Sequence, residues 1–269
     1  MGVGLVLTGW AVNPFPVQGV TSQATPEIGR PGKDVMWVPS TDELVATMLE
    51  IADVSAQDVV MDLGSGDGRT VIAAAQLGAR AIGVEYDAEL VELSRNNAAA
   101  AGVADRATFV TADLFEVDLS PATVITMFLL PDLNLKLRPR LLELEAGTRI
   151  VSNTWTLDEW VADQTVVLDP CPGFCTALLW IVPARAEGTW ALPMGTLTIE
   201  QQFQVVTGTL ETPSETVEID DGRLRGEQIS FRVGDDRYTG RVSDDVIDGV
   251  AETGTGTLDW RATRVPSVR

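Results

Sequence analysis

The 269 residues leave room for one large domain, or for one of ordinary size plus a small one. With 39 acidic against 19 basic residues the formal charge is −20, which argues against nucleic-acid binding through a broad basic face. There is no histidine, which excludes Ser-His-Asp and Cys-His catalysis and argues against zinc, so no metal site is expected.

Residues 1–33 open with an apolar run, Val3 to Val12, and then turn polar with several Pro and Gly. The first basic residue is Arg30, so the charged start of a secretory signal is missing. The segment reads as an N-terminal arm, with a trimmed signal or weak anchor as the alternative. No continuous apolar stretch reaches the roughly 18 residues a membrane span needs, and a cytoplasmic protein is expected.

Next comes Trp37-Val38-Pro39-Ser40-Thr41. Ser40 or Thr41 can N-cap a helix from Asp42 to Ala52, with Glu43 placed for a capping box. Leu44, Val45, Met48, Leu49 and Ala52 form its apolar stripe. Trp37 reads as a core aromatic or as a wall of a cofactor pocket.

The most informative stretch is Val59-Val60-Met61-Asp62-Leu63-Gly64-Ser65-Gly66-Asp67-Gly68-Arg69. A β-run ends in an acid, a glycine turn follows, and a helix runs from about Thr70 to Leu77. A second β-run, Ala81 to Val84, ends in Glu85. The glycines let the backbone turn tightly beside a ligand, and N–H groups at the helix start are expected to face it. Glu85 stands where a ribose-binding acid belongs. Asp62 just before the turn would repel a pyrophosphate but could hold the amino group of a methionine-like tail. That favours S-adenosylmethionine over a dinucleotide.

A helix from Ala88 to Ala101 is stopped by Gly102. A strand Ala107–Thr111 leads to Asp113, a third acid at a strand tip, where it could bond an adenine amino group while Leu114 and Phe115 cover the ring. Thr123–Phe128 is a strand, Leu135–Glu145 a helix and Arg149–Asn153 a strand. Thr165–Leu168 and Thr176–Val182 read as a closing antiparallel pair. Alternating strands and helices of this kind make a doubly wound α/β sheet that binds ligands at the carboxyl ends of its strands. Cys171 and Cys175 read as two thiols at a strand connection, with a disulfide across the turn as the alternative.

Beyond about Pro183 helical periodicity disappears. Short alternating runs at Gly195–Ile199, Phe203–Leu210, Gln228–Val233, Arg237–Val242, Val246–Val250 and Thr257–Ala262 predict a small antiparallel barrel or sandwich, with Trp190 and Trp260 as plugs at its ends. The expected organisation is an arm at 1–33, an α/β domain at 34–184 and a β domain at 185–269.

The motifs around Trp37, Asp62–Arg69, Gly83-Val84-Glu85 and Asp113-Leu114-Phe115 resemble those of the seven-β-strand S-adenosylmethionine-dependent methyltransferases. Ala122–Leu130, Asn134, Leu137-Arg138-Pro139 and Gly147–Ser152 resemble one subgroup: the archaeal broad-specificity protein-lysine methyltransferases and their mitochondrial relatives acting on the ATP synthase c subunit and the adenine nucleotide translocase. The resemblance covers roughly residues 34–183. It implies a Rossmann-like seven-stranded sheet, S-adenosylmethionine as cofactor and S-adenosylhomocysteine as product. It places Trp37, Val38, Pro39 and Thr41 on the cofactor from one side. Asp62, Gly64, Ser65, Gly66 and Asp67 contact it from the glycine turn, and Glu85, Tyr86, Asp113 and Leu114 from the next two strand tips. Phe128, Asn134 and Asn153 are the candidates for the acceptor pocket, walled also by Leu129, Pro131 and Trp155. A basic or lysine-rich protein is the implied substrate. A small molecule or lipid held under the β domain, or a non-catalytic binding module, are the competing readings.

Overall fold

The computed structural model describes residues 38–171 and 173–266, so Trp37 and the N-terminal arm lie outside the described residues. Helix α1 (Asp42–Ile51) begins at Thr41, whose hydroxyl accepts the Leu44 N–H at 3.3 Å. The cap is thus one position later than a box with Glu43 needs, because Ser40 is engaged elsewhere, as described below. The rest of the α/β unit is β1 (Val59–Leu63), α2 (Arg69–Gln76), β2 (Arg80–Glu85), α3 (Ala88–Ala100), β3 (Ala107–Thr111), β4 (Val124–Met127), α4 (Pro131–Leu141), β5 (Arg149–Asn153), β6 (Gln164–Val167) and β7 (Thr176–Ile181). The strand order is β3-β2-β1-β4-β5-β7-β6, with β7 antiparallel to both β5 and β6.

Helix α4 departs from expectation. It starts at Pro131, four residues before the predicted Leu135, and ends at Leu141. Proline at the first helical position has its φ preset and no N–H to lose, so the turn signal in fact opens the helix. Asn134 therefore sits in the first turn of α4 and not in a loop.

The central strands are buried on both faces, as a helix-covered parallel sheet requires. One side packs Leu44, Leu49, Val60, Val71 and Leu179; the other packs Met61, Leu63, Ile125, Met127, Leu137 and Trp180. Each such side chain contributes about 1.5–3 kcal/mol on burial. At Gly83 a Cβ would stand 2.5 Å from the Phe109 ring and 2.6 Å from Ser65 Oγ, so this strand position lets the glycine turn settle directly on β2.

Residues 188–264 form a closed eight-stranded antiparallel barrel: β8 (Gly188–Leu192), β9 (Gly195–Gln202), β10 (Val205–Glu211), β11 (Thr216–Arg225), β12 (Gln228–Val233), β13 (Asp236–Ser243), β14 (Val246–Thr253) and β15 (Gly256–Arg264). Its interior is filled by Trp190, Leu197, Leu224, Phe231, Tyr238 and Trp260 among others, which makes it a packed core and not a container. Trp260 lies against Gly240 and donates to Thr239 O at 3.0 Å, while Trp190 carries the Arg264 guanidinium 4.1 Å above its ring. Strands β8 and β11 escaped the sequence reading. The acids and Gly222 of β11 look like a turn, and they sit at an irregularity where its register against β12 shifts between Asp220 and Arg223. Phe203, read as a strand start, is a turn residue at φ 55°.

Candidate active site

The parallel strands β1, β2 and β3 end on one edge of the sheet, with Asp62 opposite Gly83 and Glu85 opposite Thr111. The loop between β1 and α2 is fixed from several directions. Gly64 and Ser65 both donate their N–H to Val84 O, at 2.9 and 3.0 Å. Glu85 accepts from Gly66 N at 3.0 Å and from Asp87 N at 2.9 Å. Ser94 Oγ holds Gly66 O and Asn97 Nδ2 holds Asp67 O, each at 2.9 Å. The N–H groups of Gly64, Ser65 and Gly66 are thus spent on β2, which disfavours a pyrophosphate cradle built from them.

Asp62 is buried at the tip of β1 and accepts from Thr126 Oγ1 at 2.6 Å. Burial pushes its carboxyl up to about 7, and the charges of Glu85 and Asp67 push the same way, against the hydrogen bonds from Thr126 and Thr70. Beside it Ser65 Oγ is buried without a hydrogen-bond partner. Asp67 is held by Arg69, which reaches Asp67 Oδ2 at 2.6 Å and also donates to Ser40 O at 2.6 Å.

Asp113 turns its own loop, accepting from Phe115 N at 2.8 Å. That loop is clamped from α4: Arg140 donates to Leu114 O at 3.2 Å, to Phe115 O at 2.6 Å and to Val117 O. The Lys136 ammonium rests 3.7 Å from the Phe115 ring centre. Tyr86 is exposed beside Glu85, and Val38 and Pro39 are half-buried ahead of α1.

On the other side of the glycine loop lies Leu129, whose Cδ2 would be 3.0 Å from a Cβ on Gly64. Pro131 is exposed at the start of α4. Phe128 packs on Phe174 with ring centres 5.4 Å apart, and Phe174 on Trp155 at 6.3 Å. Sequence reasoning missed Phe174. It is presented by the short turn between Cys171 and Cys175, whose sulfurs are placed within bonding reach, in line with the disulfide alternative. A lone aromatic inside so short a Cys-to-Cys turn was the available signal.

Asn134 and Asn153 are both fully buried. Asn134 Nδ2 reaches Trp155 O at 3.1 Å, and its Oδ1 is buried without a partner. Asn153 donates to Ser40 Oγ at 2.9 Å and accepts from Thr154 Oγ1 at 2.9 Å. Thr154 is a β-branched residue at φ 63°, a costly conformation held by these bonds and by its N–H on Thr176 O.

The family model for the ANTKMT methyltransferase domain matches residues 62–164. The protein-lysine N-methyltransferase of Saccharolobus islandicus (strain REY15A) is 40% identical over 151 residues, 55% of this chain and 94% of that protein. The adenine nucleotide translocase lysine N-methyltransferase of Mus musculus is 40% identical over 103 residues, 38% of this chain and 45% of that protein. Among solved structures, an RNA methyltransferase from Salinibacter ruber in complex with S-adenosyl-L-homocysteine is 48% identical, with a TM-score of 0.53 over 55% of this chain and 95% of that one.

Proposed function

The chain belongs to the protein-lysine N-methyltransferase family, and on that premise we propose that it methylates lysine side chains of a basic protein, with S-adenosylmethionine as cofactor. Residues 34–184 are the catalytic unit in this reading and 185–269 an added domain, in a cytoplasmic enzyme. The geometry that supports it is Asp62, buried and hydrogen-bonded to Thr126, beside Glu85 on the edge where β3 delivers Asp113.

These residues fit the cofactor. Asp62 and Ser65 suit the charged amino-acid tail, Glu85 the ribose hydroxyls, and Asp113 with Leu114 the adenine. S-adenosylmethionine bound there supplies a methyl group on its sulfonium sulfur. The chain's own work is to bind, orient and desolvate.

A lysine acceptor must be neutral, and at pH 7 only about one in a few thousand free lysines is. The aromatic group of Phe128, Trp155 and Phe174 lowers the dielectric around an entering side chain and so favours the neutral amine. Asn134 Oδ1, buried and without a partner, is the candidate acceptor for the amine, and reaching it requires the side chains around it to part. The formal charge of −20 draws basic substrates to the surface.

RNA is the second reading, because the Salinibacter ruber structure carries that description. The same acidity opposes it, since phosphate binding depends on basic contacts. Incubation with tritiated S-adenosylmethionine and either a lysine-rich protein or total RNA separates the two. Label on protein lysine supports the proposal; label on RNA alone rejects it.

A further inference from the structure

The barrel does not hang free of the catalytic unit. The β11–β12 turn brings Gly226 so close to Gly147, ahead of β5, that a Cβ would stand 3.1 Å from the Gly147 Cα, and Ala184 N donates to Gly226 O at 2.9 Å. Arg223 reaches Asp163 at 2.7 Å. The β9–β10 turn goes further in. Phe203 stacks on Trp160 with centres 5.9 Å apart and planes within 8°. Gln204 is 2% exposed and donates through Nε2 to Val161 O at 2.6 Å.

Hairpin turns are normally exposed, polar and glycine-rich. This one buries its glutamine and places an aromatic at φ 55°, where glycine would be unstrained. What the ring touches accounts for its position. Trp160 closes the loop 153–163 by pairing with Leu157, and the Arg138 guanidinium lies 5.6 Å over Phe203 while donating to Leu157 O at 3.0 Å. The loop carrying Trp155 is therefore gripped from α4 by Asn134 and Arg138 and from the barrel by Phe203 and Gln204.

We infer that Phe203 and Gln204 are positioning residues for methyl transfer: the barrel sets the loop that forms the acceptor side of the site. The inference rests on the methyltransferase reading, and its test separates the two. Full-length Phe203→Gly suits the turn's backbone but removes the ring; Phe203→Tyr restores it; Gln204→Met keeps the shape without the donor and serves if Phe203→Gly fails to fold. Hydrogen exchange in residues 153–163 should quicken in Phe203→Gly and Gln204→Met and return to the wild-type rate in Phe203→Tyr, while residues 62–69 stay unchanged.

With core histones as the lysine-rich acceptor, kcat should fall on the order of tenfold or more, the scale of a misplaced reactant. S-adenosylmethionine affinity by calorimetry should stay within about twofold, since neither residue contacts the glycine loop. Unchanged exchange in 153–163 overturns the inference. So do unchanged kcat and KM despite faster exchange, and a parallel loss of cofactor affinity. Histones left unmodified by the wild type count against the lysine reading, while the exchange measurement still decides the role of the barrel.

Discussion

Asp62 and Thr126 face each other across the tips of β1 and β4, joined by a 2.6 Å hydrogen bond from the threonine hydroxyl. That bond is the strongest influence opposing the protonation of a carboxyl pushed up to about 7. The folded value lies above the ordinary aspartate value of 3.8, so the stability Asp62 contributes is full below about pH 4 and is lost as pH rises towards 7. Asp62→Asn should flatten that part of the pH dependence of thermal unfolding without ligand.

Cofactor binding should show the opposite slope. A cationic amino group favours the ionised carboxylate, so affinity rises with pH through about 7, and binding at about pH 6 releases a proton from Asp62. Calorimetry in buffers of different ionisation enthalpy should detect that proton in the wild type and not in Asp62→Asn.

Glu85 does two jobs, accepting from Gly66 and Asp87 and standing at the expected ribose position. Glu85→Ala should abolish measurable S-adenosylmethionine binding by calorimetry while far-ultraviolet circular dichroism stays that of the wild type. Asp113→Ala should cost less, about 1–3 kcal/mol for one charged hydrogen bond.

Arg140 meets three carbonyls of the loop that follows Asp113. Arg140→Met keeps much of the stem and strips the donors, leaving those carbonyls to water or to nothing. Weaker cofactor binding by about 1–3 kcal/mol is expected, with faster hydrogen exchange in residues 113–117.

Gly83→Ala tests the seat of the glycine loop. The added methyl meets Phe109 at 2.5 Å and Ser65 Oγ at 2.6 Å, so urea unfolding should show a loss of about 1–3 kcal/mol. A neutral result would mean that the loop yields without cost.

The strands that carry the proposed cofactor residues were legible because their signals are local. Asp62, Glu85 and Asp113 each follow an apolar run, and the glycines mark the turn between them, so β1, β3 and β5 fell within a residue of their predicted bounds. The packing around the proposed acceptor residues was not, because its contacts join distant segments. Nothing near Asn153 announces Ser40, and nothing near Phe203 announces Trp160. Pro131 misled for the opposite reason: proline stops a helix from within but starts one from its first position. In the barrel β11 was lost because its solvent face is acidic and its register shifts, which hides the alternation that betrays strands.

If the edge holding Asp62 and Glu85 delivers methyl groups to lysine, mass spectrometry of a lysine-rich protein incubated with S-adenosylmethionine and either wild type or Glu85→Ala will register it. Mass steps of one methylene on lysine side chains are expected with the wild type and none with the variant. Methylation confined to RNA, or lysine methylation undiminished in Glu85→Ala, would contradict it.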